Sequence, residues 1–225
     1  MKNVPIEGTE RAWIEVDLGA LRRNSRVISD RAGDGCRLLP MVKADAYGVG
    51  LERVVRALRP LRPWGYGVAA TAEGRDLREL GWSGRVIVFA PTLPADIDAL
   101  ALERLEPVVP DLEALSHCER VGAPAPLPVH LEVDTGMGRL GLRWDEVEGW
   151  LPGVLEAVRA GGVELAGTMT HFHSADVDSE LTREQWSRLQ GTLAAMREAG
   201  VDPGLVHAAN SAAAVLNPET RADLV

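Results

Sequence analysis

Short β-like runs alternate with amphipathic stretches along nearly the whole chain, and this rhythm constrains the fold more than any other feature. The runs are Trp13–Asp17, Leu38–Ala44, Trp64–Ala70, Arg85–Ala90, Glu106–Val109, Pro128–Asp134, Val163–Phe172 and Leu205–Asn210. Between them the apolar residues of Leu18–Ala32, Leu51–Leu58, Thr71–Leu80, Leu93–Leu105, Asp145–Ala160 and Thr182–Ala199 recur at helical spacing. Asp17, Thr71 with Glu73, and Thr182 with Gln185 three residues on mark helix starts, the last as a capping box. Gly81, Gly161 and Gly200 mark helix ends. Alternation of this kind builds a parallel sheet, either open and doubly wound or closed into a barrel. An open dinucleotide-binding sheet would carry GxGxxG after its first strand, and none stands there. Gly65-Tyr66-Gly67 lies inside a run, and Gly136-Met137-Gly138 leads into Arg-Leu-Gly where a phosphate helix would open. The sequence therefore predicts an α/β fold of the TIM-type (β/α)8 barrel class.

A length of 225 residues suits one such barrel. Residues 1–34 read as a leading strand and helix, and residues 35–225 as the barrel units. A net charge of -9 argues against nucleic acid as a partner, which calls for a basic face. No apolar run approaches the roughly 20 residues that cross a bilayer, and the opening MKNVPIEGTE holds no leader core. A cytoplasmic protein with no membrane partner is expected. Cys36 and Cys118 are too isolated for a disulfide framework or a CxxC metal site.

Of the 24 basic residues only two are lysines, Lys2 and Lys43. Lys43 ends an apolar run. An arginine stays charged at any useful pH, whereas a desolvated lysine can lose its proton and act as a nucleophile. The bland alternative is a snorkelling surface lysine. Alternation also groups polar residues where a core is expected. His130, Glu132 and Asp134 share one face of their run; Met169, His171 and His173 share one; Met41, Lys43 and Asp45 share one. Both faces of a parallel strand are normally buried, so these groups point into a shared interior near the strand ends where barrel enzymes place their chemistry.

Tyr47 lies just past Lys43 and could reach an anion, or simply pack. Asn210-Ser211 reads as a strand end entering a helix, where free N–H groups favour an anion, though capping is the commoner use of these residues. Arg139 follows flexible glycines and could be aimed into the barrel mouth, or could pair with Asp134 or Asp145 on the surface. His171-Phe172-His173 is also a metal-ligand pattern that Glu132, Asp134 and His207 could complete, but a metal site leaves Lys43 and Tyr47 unexplained. No metal is expected. His117 and His130 carry no assignable role.

The segment Met41-Val42-Lys43-Ala44-Asp45-Ala46-Tyr47-Gly48-Val49-Gly50 closely resembles the cofactor-lysine motif of the alanine racemases, pyridoxal-phosphate enzymes of fold type III. The resemblance extends to Trp13-Ile14-Glu15-Val16-Asp17-Leu18, to Asp134-Thr135-Gly136-Met137-Gly138-Arg139-Leu140-Gly141, to Thr170-His171-Phe172 and to His207-Ala208-Ala209-Asn210-Ser211. It implies pyridoxal 5'-phosphate as cofactor and interconversion of L- and D-alanine, supplying D-alanine for peptidoglycan. It implies that Lys43 bonds the cofactor covalently and serves as one catalytic base. Tyr47, Asn210 and Ser211 then face the phosphate, Arg139 the cofactor's phenolic oxygen and the substrate carboxylate, and His171 the network beside the ring. Glu132 departs from the family, which often has a carbamylated lysine there. By the same resemblance the full-length protein is a homodimer whose partner subunit supplies a second base from a C-terminal β domain. That domain and the last barrel strand are expected to be absent here, which would leave two sheet edges unpaired and the chain inactive alone. A non-catalytic pyridoxal-phosphate barrel, or a racemase for another amino acid such as serine, is the alternative.

Overall fold

The computed structural model describes residues 14–91, 93, 96–122 and 125–225. Trp13 of the expected leading strand lies outside them, and residues 14–17 form no strand. Asp17 instead caps the Leu18–Ala32 helix, its carboxylate accepting the N–H groups of Gly19 and Ala20 at 2.8 and 3.0 Å.

The strands are β1 (Gly65–Val68), β2 (Arg85–Val88), β3 (Glu106–Val109), β4 (Leu127–Asp134), β5 (Leu142–Arg143), β6 (Val163–Met169) and β7 (Leu205–His207). They pair in parallel in the order β1-β2-β3-β4-β6-β7, with β5 set beside the end of β4. The sheet curls until its ends approach each other. Met41 bridges Gly67 of β1, and Leu224 bridges both Arg37 and His207. Arg37 donates its N–H to Asp223 at 2.9 Å, Val225 donates to Arg37 at 2.9 Å, and Asp223 donates to Val206 at 2.9 Å. Asp223–Val225 thus lie between the two ends of the sheet. The expectation of two unpaired edges is corrected at this end of the barrel, because those residues bond to both.

Alternation along the strands sorts side chains into two layers. Val86 and Val88 of β2, Leu131 and Val133 of β4 and Tyr66 of β1 face outward against the helices. Leu39, Ile87, Val108, Met169 and Leu224 form a smaller apolar plug inside the ring. Leu51, Val54, Val55 and Leu58 bury one stripe of their helix on the outer layer, as spacing i, i+3, i+4, i+7 requires.

Several elements differ from expectation. The long helix across 93–105 shortens to Ile97–Leu102, and Arg104 turns left-handed at φ 51° to drop the chain into β3. A further helix, Leu112–Val121, is capped by Asp111, which accepts the Ala114 N–H at 2.7 Å. The expected Thr182–Gln185 capping box does not form. The helix starts at Ser179 under Asp178 and runs to Glu198, and Thr182 donates its hydroxyl to the Asp178 carbonyl. Gln185 is thereby free for the barrel mouth.

Candidate active site

The C-terminal ends of the strands open onto a cavity of about 740 Å³. Lys43, Tyr47, Arg139, His171, Asn210 and Ser211 all line it. Their motifs are far apart in the chain, and the curl of the sheet brings them to one mouth.

Lys43 stands where the extended segment beside β1 stops. The chain does not continue as a strand, so the expected common face of Met41, Lys43 and Asp45 is not formed. Ala44, Asp45, Ala46 and Tyr47 all take left-handed conformations, with φ between 52° and 57°. Such a conformation costs a non-glycine residue about 1–2 kcal/mol. The turn is closed by its own bonds, Ala46 N–H to the Val42 carbonyl and Gly48 N–H to the Ala44 carbonyl, each 2.9 Å. Asp45 turns away and accepts the Leu51 N–H at 2.6 Å, opening the next helix. The Lys43 amine comes to lie 5.8 Å from the centroid of the Tyr47 ring, which is 63% exposed at the rim.

Arg139 reaches the cavity because β4 ends in a tight turn. Asp134 Oδ1 accepts the N–H groups of Gly136 and Gly138 at 2.9 and 3.0 Å, and Gly138 turns at φ 70° immediately before the arginine. Glu132, 4% exposed, points into the interior from the same strand. Burial pushes its carboxyl up from the usual range, while the Arg139 charge pulls it down. No ion pair joins the two among the described residues, so their coupling acts across a gap.

His171 follows β6. Burial, with the charges of Arg139 and Lys43, holds its imidazole below the usual range and therefore neutral near pH 7. Buried Gln185 fastens the neighbouring loops. It accepts the His173 N–H at 2.9 Å and donates to the His171 carbonyl and the Thr135 hydroxyl at 3.3 Å each. Thr135 in turn shares a hydrogen bond of 2.7 Å with Thr170. His173 is exposed and bonded to the Ser174 hydroxyl. Among the described residues no three His, Cys, Asp or Glu side chains are gathered to hold a metal ion. Asn210 accepts the Ala213 N–H at 2.9 Å and so caps the short Ser211–Leu216 helix, leaving Ser211 exposed at its start.

Beneath the cavity runs a chain of polar groups that sequence reasoning missed. Arg85 holds Glu106 through two bonds of 2.6 and 2.9 Å. Glu106 bonds His130 Nε2 at 3.1 Å, and His130 Nδ1 bonds His207 Nε2 at 2.9 Å. Gly167 makes this possible: a Cβ there would strike the His130 ring. Burial keeps both imidazoles below their usual range. The sequence signal was His130 sharing a face with Glu132; its partners on other strands were invisible.

Comparison with known proteins gives a consistent result. Residues 16–225 match the family described as alanine racemase, N-terminal domain. The alanine racemase of Symbiobacterium thermophilum is 38% identical over 225 residues, covering 98% of this chain and 58% of that protein. That of Halothermothrix orenii is 34% identical over 210 residues, 92% of this chain and 55% of that protein. Among solved structures, alanine racemase of Clostridium difficile 630 superposes with a TM-score of 0.90 at 28% identity, covering 96% of this chain and 60% of its own. The Bacillus anthracis alanine racemase with bound L-Ala-P gives 0.85 at 29% identity, over 95% and 55% of the two chains. The chain thus spans little more than half the length of the curated relatives it matches.

Proposed function

From the premise that this chain belongs to the alanine racemase N-terminal domain family, we propose that it forms the pyridoxal-phosphate-binding barrel of a racemase that interconverts L- and D-alanine. The observation that carries the reading is the convergence of Lys43, Tyr47, Arg139, His171, Asn210 and Ser211 on a single cavity around the one lysine in the described part of the chain.

The donor set fits the group. An amine suits an aldehyde, a guanidinium suits a phenolate and a carboxylate, and the hydroxyls of Tyr47 and Ser211, both lining the cavity, suit a phosphate. When bound, pyridoxal phosphate supplies an electron sink for negative charge at the substrate Cα. The protein's part is binding, orientation and proton transfer. Lys43 bonds the cofactor and holds or releases a proton at Nζ on one face of the substrate. Arg139 pairs with the substrate carboxylate, and Glu132 tunes that cation from below. Tyr47 and Ser211 hold the phosphate. Asn210, whose oxygen is engaged by Ala213, shapes the turn that presents Ser211. His171, kept neutral, bonds beside the ring without adding a third positive charge.

A homodimer in the full-length protein, a cytoplasmic location and the supply of D-alanine to peptidoglycan belong to the same proposal. No helix among the described residues is long and apolar enough to cross a membrane.

The test is covalent. The chain is incubated with pyridoxal phosphate, reduced with borohydride, digested and mapped. The adduct is expected at Lys43, with Lys43→Arg removing it, because a guanidinium cannot make the link. An adduct found only at Lys2 or the amino terminus would sink the assignment.

A further inference from the structure

The left-handed turn at 44–47 carries Lys43 at its entrance and Tyr47 at its exit, and one carboxylate outside it holds it in place. Glu73 Oε1 accepts the Ala44 N–H at 2.7 Å. Glu73 Oε2 accepts the N–H groups of Ala69 and Ala70 at 2.7 and 3.1 Å. Ala69 and Ala70 lead out of β1, and Glu73 belongs to the first turn of the Thr71–Glu79 helix. A single side chain therefore ties the lysine-bearing turn to the end of the neighbouring strand and to the start of the helix behind it. Ala44 is the residue directly after Lys43, so the bond fixes the peptide from which the lysine stem departs. Val42, on the other side, is tied by its N–H to the Gly67 carbonyl at 2.8 Å.

We propose that Glu73 is a positioning residue for Lys43: its carboxylate holds the strained turn in the left-handed form that points the amine into the cavity. The chemistry requires a carboxylate. Three N–H donors converge on two oxygens, and an ionised Glu is an acceptor only. A Gln keeps the length but offers one oxygen, and its amide hydrogens would face a backbone N–H. Without the clamp, residues 44–47 can relax toward ordinary φ and carry the lysine with them. The proposal rests on Lys43 being the residue that bonds the cofactor, and its test separates the two claims.

Glu73→Gln is compared with the unaltered full chain in two measurements. Hydrogen exchange is followed in the peptide covering 43–50 without cofactor, and the rate of borohydride-trapped pyridoxal-phosphate adduct at Lys43 is followed separately. The clamp predicts faster exchange confined to that peptide and trapping slowed by about tenfold or more, the size expected for losing a charge-assisted hydrogen bond. A second substitution, Ala44→Gly in the Glu73→Gln background, should recover part of the trapping rate. Glycine takes a positive φ without penalty, so a turn containing it needs less holding. Exchange and trapping unchanged in Glu73→Gln would overturn the proposal, and so would loss of protection across the whole barrel with no recovery from Ala44→Gly. Exchange in 43–50 that depends on Glu73, in a chain that forms no adduct at Lys43, would uphold the clamp and defeat the cofactor assignment instead.

Discussion

His130 and His207 receive their protonation state from the opposite end of the barrel. Arg85 fills part of the Glu106 carboxylate, which takes a further hydrogen from His130 Nε2. A neutral His130 must then accept at Nδ1, so His207 donates from Nε2 and keeps Nδ1 bare. Both imidazoles are held below the ordinary value of 6.5 by burial. The folded state therefore binds fewer protons than the unfolded chain below that value, and stability is lost as pH falls through 6.5 toward the depressed values. Glu132, shifted upward, acts in the opposite sense, but one carboxyl stands against three imidazoles, since His171 is also held low. Thermal unfolding between pH 7.5 and 5.5 should show a falling midpoint, and His207→Gln should make the profile shallower. A midpoint that rises on acidification would show that the pair is charged in the fold. At this scale the legible residues were those whose type was exceptional in place, Lys43 above all. Glu73 read only as a helix-start signal because its partner Ala44 lies 29 positions away. His130 had no assigned role for the same reason, its partners being 24 and 77 positions away.

Among the elements, β4 and β6 set the shape of the interior. Their pairing shifts register between Val129 and His130, and Gly167 of β6 faces His130 across the shift. A methyl group at 167 would meet the His130 ring and, at 2.6 Å, the Leu205 carbonyl on β7. The carbonyl is backbone and has little room to yield. Gly167→Ala should therefore destabilise the fold by about 1–3 kcal/mol, the usual range for overpacking, with denaturant titration as the measurement. An unchanged midpoint would mean that the strands part more easily than their pairing implies. The strands other than β5 were legible because they are largely buried on both faces and read as apolar runs; β5, two residues long with Arg143 exposed, leaves no run to read. The helices were less so. Leu112–Val121 buries only Leu115 and Cys118, too thin a stripe to stand out. Inside the Ser179–Glu198 helix Thr182 and Gln185 mimic a cap, whereas Asp178 is the true cap and Gln185 bonds the mouth loops.

At the scale of the whole fold, the barrel mouth presents one amine to the cavity among the described residues, and of the two tyrosines only Tyr47 lines it. Tyr66 is buried in the outer layer with its hydroxyl 3.4 Å from the Val55 carbonyl and its phenol pushed up to about 12. Racemisation by proton exchange on two faces needs an acid–base group on each, and one such group contributes about 10²–10⁴-fold. Residues 1–225 alone are expected to yield D-alanine only in traces while still forming the Lys43 adduct. Turnover at ordinary enzyme rates, roughly 1–10³ s⁻¹, would show that the second group lies within this chain. The barrel class and the mouth were legible from the rhythm and the motifs. The seam between Arg37–Leu39 and Asp223–Val225 was not, because three residues leave no periodicity to read. That seam also gives the fold a schedule. The segment beginning at Arg37 leaves a ribosome long before its partner Asp223. At roughly 5–20 residues per second the earlier segment waits on the order of ten to forty seconds for its neighbour. Through that interval the side of the nascent sheet that Asp223–Val225 later cover stays unpaired, which is the exposure that makes strand edges prone to aggregate.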